Sequence, residues 1–179
     1  TSVERRFVEG VKSLKLGDPA RAQTDVGPMI TAQAAARAKS MVDDALRRGA
    51  TLLCGHTLDG ALYAPTVLER VSSDCELWQN EVFGPVAAVS PFADEADAIR
   101  IANDTPYGLS GSIWTRDLSR GIRVSRGIES GNLSVNSHSS VRYWTPFGGY
   151  KKSGLGRELG PDALDAFTET KNVFISTED

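Results

Sequence analysis

The chain has 179 residues, 40% of them hydrophobic and 24% charged, with a formal net charge of −3. That length suits one domain with a buried core, and the hydrophobic fraction is too high for a disordered chain. The mild acidity argues against nucleic acid or an anionic membrane as the main partner, and no apolar run approaches the roughly 20 residues that cross a bilayer.

Val3, Phe7, Val8, Val11 and Leu14 recur at helical spacing and predict an amphipathic helix over residues 3–16, broken by Gly17-Asp18-Pro19. The stretch to Met29 reads as loop. A second helix is predicted from Ala32 to Arg48, with Thr31 as N-cap and Gly49 as the stop; its buried stripe is Ala34, Ala38, Met41, Val42, Ala45 and Leu46. Residues 50–54 read as a short strand, and Tyr63–Leu68 and Phe83–Val89 as further extended segments. Asp94 caps a helix to about Ala102, Ser110–Thr115 is a strand, and Asp117 caps a helix to Arg126. Leu133 and Val135 alternate in a strand over Asn132–Asn136. After Tyr150 a glycine-rich loop leads to a short helix near Pro161, and residues 167–175 read as one strand. Thr168, Glu169, Thr170, Lys171 and Asn172 make most of it polar on both faces, which suits an edge or a partner's sheet. This alternation predicts an α/β fold with a largely parallel sheet and helices on both faces, without internal repeats or linkers.

Cys54 falls in a short buried strand, and Cys75 in a polar loop between Asp74 and Glu76. Acidic neighbours raise a thiol pKa and oppose the thiolate that a nucleophile needs, so both cysteines are expected to be structural. They form no disulfide framework or zinc spacing, consistent with a reducing cytoplasm, and His56 and His138 are too far apart in sequence for a metal site. The N-terminus has no apolar core of a signal peptide. A start at Thr1 without methionine is expected of a chain that begins inside something longer.

Two tracts stand out. Glu81-Val82-Phe83-Gly84-Pro85-Val86, taken alone, reads as a strand end and a turn. Pro146-Phe147-Gly148-Gly149-Tyr150-Lys151-Lys152-Ser153-Gly154-Leu155-Gly156-Arg157-Glu158 packs four glycines around one aromatic and a basic run, a composition suited to backbone folded closely over a ligand. The run Gly154–Gly160 is spaced G-x-G-x-x-x-G with no hydrophobic strand before it, so it reads as a turn before a helix and not as a dinucleotide fingerprint. Lys151, Lys152 and Arg157 are expected in a solvated loop, and Asn136, at a strand end, is placed to orient neighbouring backbone.

Together with Ala102–Leu109 and Ser130–Asn136, these tracts resemble the C-terminal part of the aldehyde dehydrogenase superfamily, from about Phe7 to Ile175. The resemblance implies part of an oxidoreductase that converts an aldehyde to a carboxylic acid with NAD or NADP, through a thiohemiacetal on a cysteine. It makes Glu81 and Phe83 cofactor-binding. Two apart in an extended segment, their side chains would share one face, the carboxylate accepting from ribose hydroxyls and the ring packing on the nicotinamide edge. A solvated glutamate and a core phenylalanine are the alternative.

By the same resemblance, Phe147, Trp144 and Val141 line a substrate tunnel, although Phe147 also suits a core position under a loop. Arg142, Tyr143 and Trp144 suit recognition of a polar or cationic aldehyde, or packing on a neighbouring subunit or another part of the enzyme. The nucleophile and general base are expected upstream of Thr1, so no catalytic residue is assigned and the chain alone is expected to be inactive. Residues 1–166 would belong to the catalytic domain, and residues 167–179 to a strand and tail that assemble a homo-oligomer, a dimer or tetramer. The alternatives are a non-catalytic binding or assembly module of the same fold and a CoA-acylating relative, which would pass its thioester to a thiol.

Overall fold

Thr1 opens helix α1 (Ser2–Lys12) with a capping box: its hydroxyl accepts from the Glu4 N–H at 3.2 Å, and the Glu4 carboxylate reaches back to the Thr1 amino group. The computed structural model describes residues 1–139 and 141–177, and the chain divides into two units, Thr1–Pro91 and Phe92–Asp179. Ser140, beside the expected tunnel residue Val141, and Glu178 and Asp179 of the expected tail lie outside the described residues. Helix α1 stops short of residue 16. The Lys15 carbonyl accepts from Asp25 and Val26 instead, and Leu16 pairs with Val26. Pro19, the helical partner Lys15 would need, has no N–H to offer.

In the first unit, Thr31 caps α2 (Ala32–Arg47) by accepting from the Ala34 N–H at 3.0 Å, and Gly49 (φ +98°) ends it. Ala35, Ala38, Met41, Val42 and Ala45 are buried; Ala34 and Leu46, expected in that stripe, are half-buried, so the helix is rotated toward Ala35. Strand β1 (Thr51–Cys54) was expected to be buried, yet Thr51 and Leu52 are exposed because β1 is the edge of its sheet. A hairpin follows, β2 (Leu58–Asp59) and β3 (Leu62–Tyr63), turning at Gly60. The single extended segment expected over Tyr63–Leu68 is therefore two strands, separated at Ala64-Pro65. The second, β4 (Thr66–Glu69), lies between β1, antiparallel, and β5 (Val86–Val89), parallel. Flanked on both edges, it buries Thr66, Val67 and Leu68. The register slips between Leu52 and Cys54, leaving a bulge at Leu53. A short helix not foreseen from sequence, α3 (Glu76–Gln79), tucks Cys75 and Leu77 into the core against α2. The polar loop expected there thus holds two core side chains.

His56 adopts φ +70°, a region few residues other than glycine visit. Three contacts hold it. Its N–H donates to Thr66 Oγ1 at 2.9 Å, Nδ1 meets the Tyr63 hydroxyl at 2.8 Å, and Nε2 meets Asp43 Oδ1 at 2.9 Å. Asp43 also pairs with Lys39 at 2.9 Å. The Lys39 ammonium, seconded by His56, holds the Asp43 carboxyl below its ordinary value. A depressed carboxyl contributes stability that is complete above its unfolded pKa, near 4, and is lost as pH falls through the folded value. Asp43→Asn should therefore lower stability at neutral pH by about 1 kcal/mol, a figure kept small because solvent screens the partly exposed pair. Urea titrations at stepped pH should show a shallower acid limb for the variant; an unchanged limb removes Asp43 from the linkage.

In the second unit, Asp94 caps α4 (Glu95–Asn103) by accepting from the Asp97 N–H at 2.9 Å. After β6 (Tyr107–Gly108) and β7 (Ser110–Ile113), Asp117 caps α5 (Leu118–Gly127) by accepting from the Arg120 N–H at 3.1 Å. Helix α5 connects β7 to β8 (Asn132–Val135), which pairs with it in parallel. Both strands end slightly before the expected Thr115 and Asn136. At that point Asn136 (φ +55°) turns the chain, and its side chain both accepts from the Thr115 N–H and donates to the Thr115 carbonyl. Arg123 grips the Glu95 carboxylate with two bonds of 2.9 Å, joining α5 to α4 and holding that carboxyl below its usual range. Strand β9 (Tyr150–Lys151) runs antiparallel to β6, and a 3-10 helix spans Pro161–Phe167.

The strand expected over residues 167–175 does not form among the described residues. Phe167 closes the 3-10 helix and residues 168–177 join no ladder. With most of the segment polar on both faces, no buried face draws it onto this chain's own sheets, and Val173, Phe174 and Ile175 remain exposed. The fold class is nonetheless α/β, with parallel pairings at β4–β5 and β7–β8 and antiparallel ones elsewhere. Among the described residues no helix is long and apolar enough to cross a membrane, and no cluster of three or more metal-ligating side chains occurs.

Candidate cofactor and substrate site

Glu81 and Phe83 sit on the turn that delivers the chain to β5. Val82 packs on the core from below, and on the far side of the turn the Pro85 carbonyl accepts from the Thr66 N–H at 2.8 Å. Between these anchors Phe83 is 79% exposed and has φ +53°. That corrects the expected extended segment: a left-handed residue breaks the two-residue alternation, so a shared face does not follow from spacing. Nor does the Phe83 ring lie in the core of this chain. A phenylalanine held in the left-handed region costs roughly 1–2 kcal/mol, and here its ring stands in solvent. Glu81 is exposed, and no described residue bonds its carboxylate. Its oxygens are free to accept from a ligand's hydroxyls.

The second tract forms a loop pinned at both ends. Phe147 donates its N–H to the Glu158 carbonyl at 2.7 Å and accepts from the Glu158 N–H at 2.8 Å. Its side chain is half-buried. Two of the tract's four glycines bring backbone close to backbone. A Cβ on Gly148 would collide with the Gly156 carbonyl and one on Gly149 with the Ser153 backbone, whereas Gly154 and Gly156, at φ +125° and +79°, meet nothing within 4 Å. Nor are Lys151 and Arg157 merely solvated. Lys151 donates to the Asn103 and Thr105 carbonyls at 2.9 and 3.2 Å and pairs with Glu129 at 2.6 Å. Arg157 donates to the Gly149 carbonyl at 3.0 Å and lies over the Tyr150 ring, 5.4 Å from its centroid. Both cations donate to backbone carbonyls, of which that of Asn103 also accepts from the Thr105 N–H at 2.8 Å.

Upstream of Phe147, Val141 and Trp144 are 51% and 57% exposed. Trp144 meets Tyr143 edge to face, with centroids 4.5 Å apart. Arg142 turns back on its own loop, donating to the Val141 carbonyl at 2.7 Å and to Ser139 Oγ at 3.3 Å. Asn132, not singled out from sequence, is the buried polar residue beneath this loop. A polar side chain directly after a glycine at the start of a strand was its one sequence signal.

Cys75 is 0% exposed; burial pushes its thiol pKa up, and the nearby Asp74 and Asp44 carboxylates add to the effect. Cys54 is half-buried in β1, paired across to Val67.

A family model described as the aldehyde dehydrogenase family matches residues 1–173. Aspartate-semialdehyde dehydrogenase 1 of Pseudomonas canavaninivorans is 44% identical over 172 residues, an alignment that covers 96% of this chain and 37% of that protein. The crystal structure of Mycobacterium tuberculosis aldehyde dehydrogenase complexed with NAD+ superposes with a TM-score of 0.91 at 36% identity, covering 98% of this chain and 37% of that one. An aldehyde dehydrogenase from Physcomitrella patens, in complex with the reaction product succinate, gives a TM-score of 0.90 at 36% identity, covering 95% and 36% of the two chains. The chain thus spans little more than a third of the length of the relatives it matches.

Proposed function

Because the chain belongs to the aldehyde dehydrogenase family, we propose that it is the C-terminal part of the catalytic domain of an enzyme that oxidises a small-molecule aldehyde to a carboxylic acid with NAD or NADP. The match across residues 1–173 carries this reading. In it, residues 1–166 belong to the catalytic domain and residues 167–179 to the element that assembles a cytoplasmic dimer or tetramer. The polar segment that finds no ladder in this chain, and keeps Val173, Phe174 and Ile175 in solvent, supports the assembly role.

When bound, NAD or NADP supplies the hydride acceptor. The residues present fit its ribonucleoside end. Glu81 offers a free, acceptor-only carboxylate to ribose hydroxyls, and Phe83 offers an exposed ring to the nicotinamide edge. Phe147, Trp144 and Val141 line the path of the aldehyde. The covalent chemistry belongs to residues outside this chain: a cysteine thiolate adds to the aldehyde carbon to give a thiohemiacetal, and a glutamate acts as general base for the water that later releases the acid.

Product analysis of the full-length enzyme tests the reading. Carboxylic acid formed in step with cofactor reduction, from a protein sedimenting as a dimer or tetramer, is the expected result. A thioester formed only when coenzyme A is added would assign the CoA-acylating chemistry instead. No cofactor reduction with any aldehyde would leave a binding or assembly module.

A further inference from the structure

Asn132 opens β8 and is 7% exposed. Its side-chain nitrogen donates to two carbonyls from separate segments, Leu109 at 2.8 Å and Gly148 at 2.9 Å. Both partners can only accept, so the amide orientation is settled: the NH2 group faces them and both its hydrogens are used. Gly148 directly follows Phe147. The next carbonyl, that of Gly149, takes the Arg157 guanidinium, and Phe147 itself is bridged to Glu158. A Gly-Gly pair has no side chains to restrict its backbone, so its geometry depends on what holds its carbonyls. Here Asn132 holds the first of them, from a strand fixed in register against β7.

We propose that Asn132 is a positioning residue for substrate selection: through the Gly148 carbonyl it sets where the Phe147 ring stands, and so which aldehydes the tunnel admits. This rests on the reading of Phe147 as a tunnel residue. Asn132 touches neither substrate nor cofactor in this scheme. Its effect falls on the fit of the longer aldehydes, whose chains pass the ring, and not on the chemistry at the carbonyl carbon.

The test uses the full-length enzyme and a series of straight-chain aldehydes of increasing length. Asn132→Ala is expected to lower kcat/KM for the longest aldehyde relative to the shortest by about 10-fold, mainly through KM, because misplacement of a contact group costs on the order of one to two powers of ten. Phe147→Ala should change the same length preference, and adding Asn132→Ala to it should change that preference no further. Hydrogen exchange at the Phe147 and Glu158 amides should accelerate in Asn132→Ala. If the alanine variant does not assemble, Asn132→Ser carries the test; its single hydroxyl donor keeps one bond and should give part of the shift. A length preference untouched by Phe147→Ala would overturn the tunnel reading and this inference with it. A preference altered by Phe147→Ala but left as in the parent by the Asn132 variants would overturn the positioning role alone.

Discussion

Incubated by itself with an aliphatic aldehyde and NAD or NADP, the 179-residue chain is expected to give no turnover above background. Its only cysteines are Cys54 and Cys75. Cys75 is wholly enclosed, and burial together with neighbouring carboxylates raises its pKa. A thiol in that setting is neither reachable by an aldehyde nor ionised at neutral pH. Cys54 sits half-buried in β1, paired across to Val67 with the register bulge beside it. Loss of a covalent nucleophile lowers turnover on the order of a millionfold in enzymes where it has been measured, so the contrast with the full-length protein should be close to all or none. Cofactor reduction by the isolated chain that disappears in Cys75→Ala would place the nucleophile here and overturn the assignment.

Glu81→Gln in the full-length enzyme is expected to slow hydride transfer by about 100-fold, with a smaller effect on aldehyde binding. Gln keeps the size and one acceptor oxygen but loses the charge, and a charged acceptor bonds hydroxyls roughly twice as strongly as a neutral one. Glu81 has no partner among the described residues, so the substitution leaves no bond of the fold unmade. The substitution is expected to act differently on hydride transfer and on aldehyde binding. Single-turnover measurement of the hydride step, with the aldehyde KM taken in parallel, separates the two. An unchanged transfer rate would remove Glu81 from the cofactor site.

The helices were legible because their signals are local. Thr31, Asp94 and Asp117 each cap the helix that the sequence assigned to them, and the buried positions of α2 followed from apolar spacing to within one residue. The two long tracts likewise identified the family before any fold was known. The strand expected over residues 167–175 does not form among the described residues, because a ladder needs a second edge and no described segment supplies one.

Other features had no local pattern to read. Phe83 adopts a left-handed backbone because Val82 is drawn into the core on one side and Pro85 is held by β4 on the other. Asn132 matters through carbonyls 23 and 16 residues away. His56 meets Asp43 across 13 residues, and the Asn132–Gly148 and Lys151–Asn103 bonds join segments whose sequences give no hint of each other. Composition, caps and periodicity determined which helices form, because each depends on neighbours a few bonds away. Only tertiary structure decided which backbone carbonyls face which side-chain donors, because those bonds form only once burial has brought distant segments together and removed the water that would otherwise satisfy them.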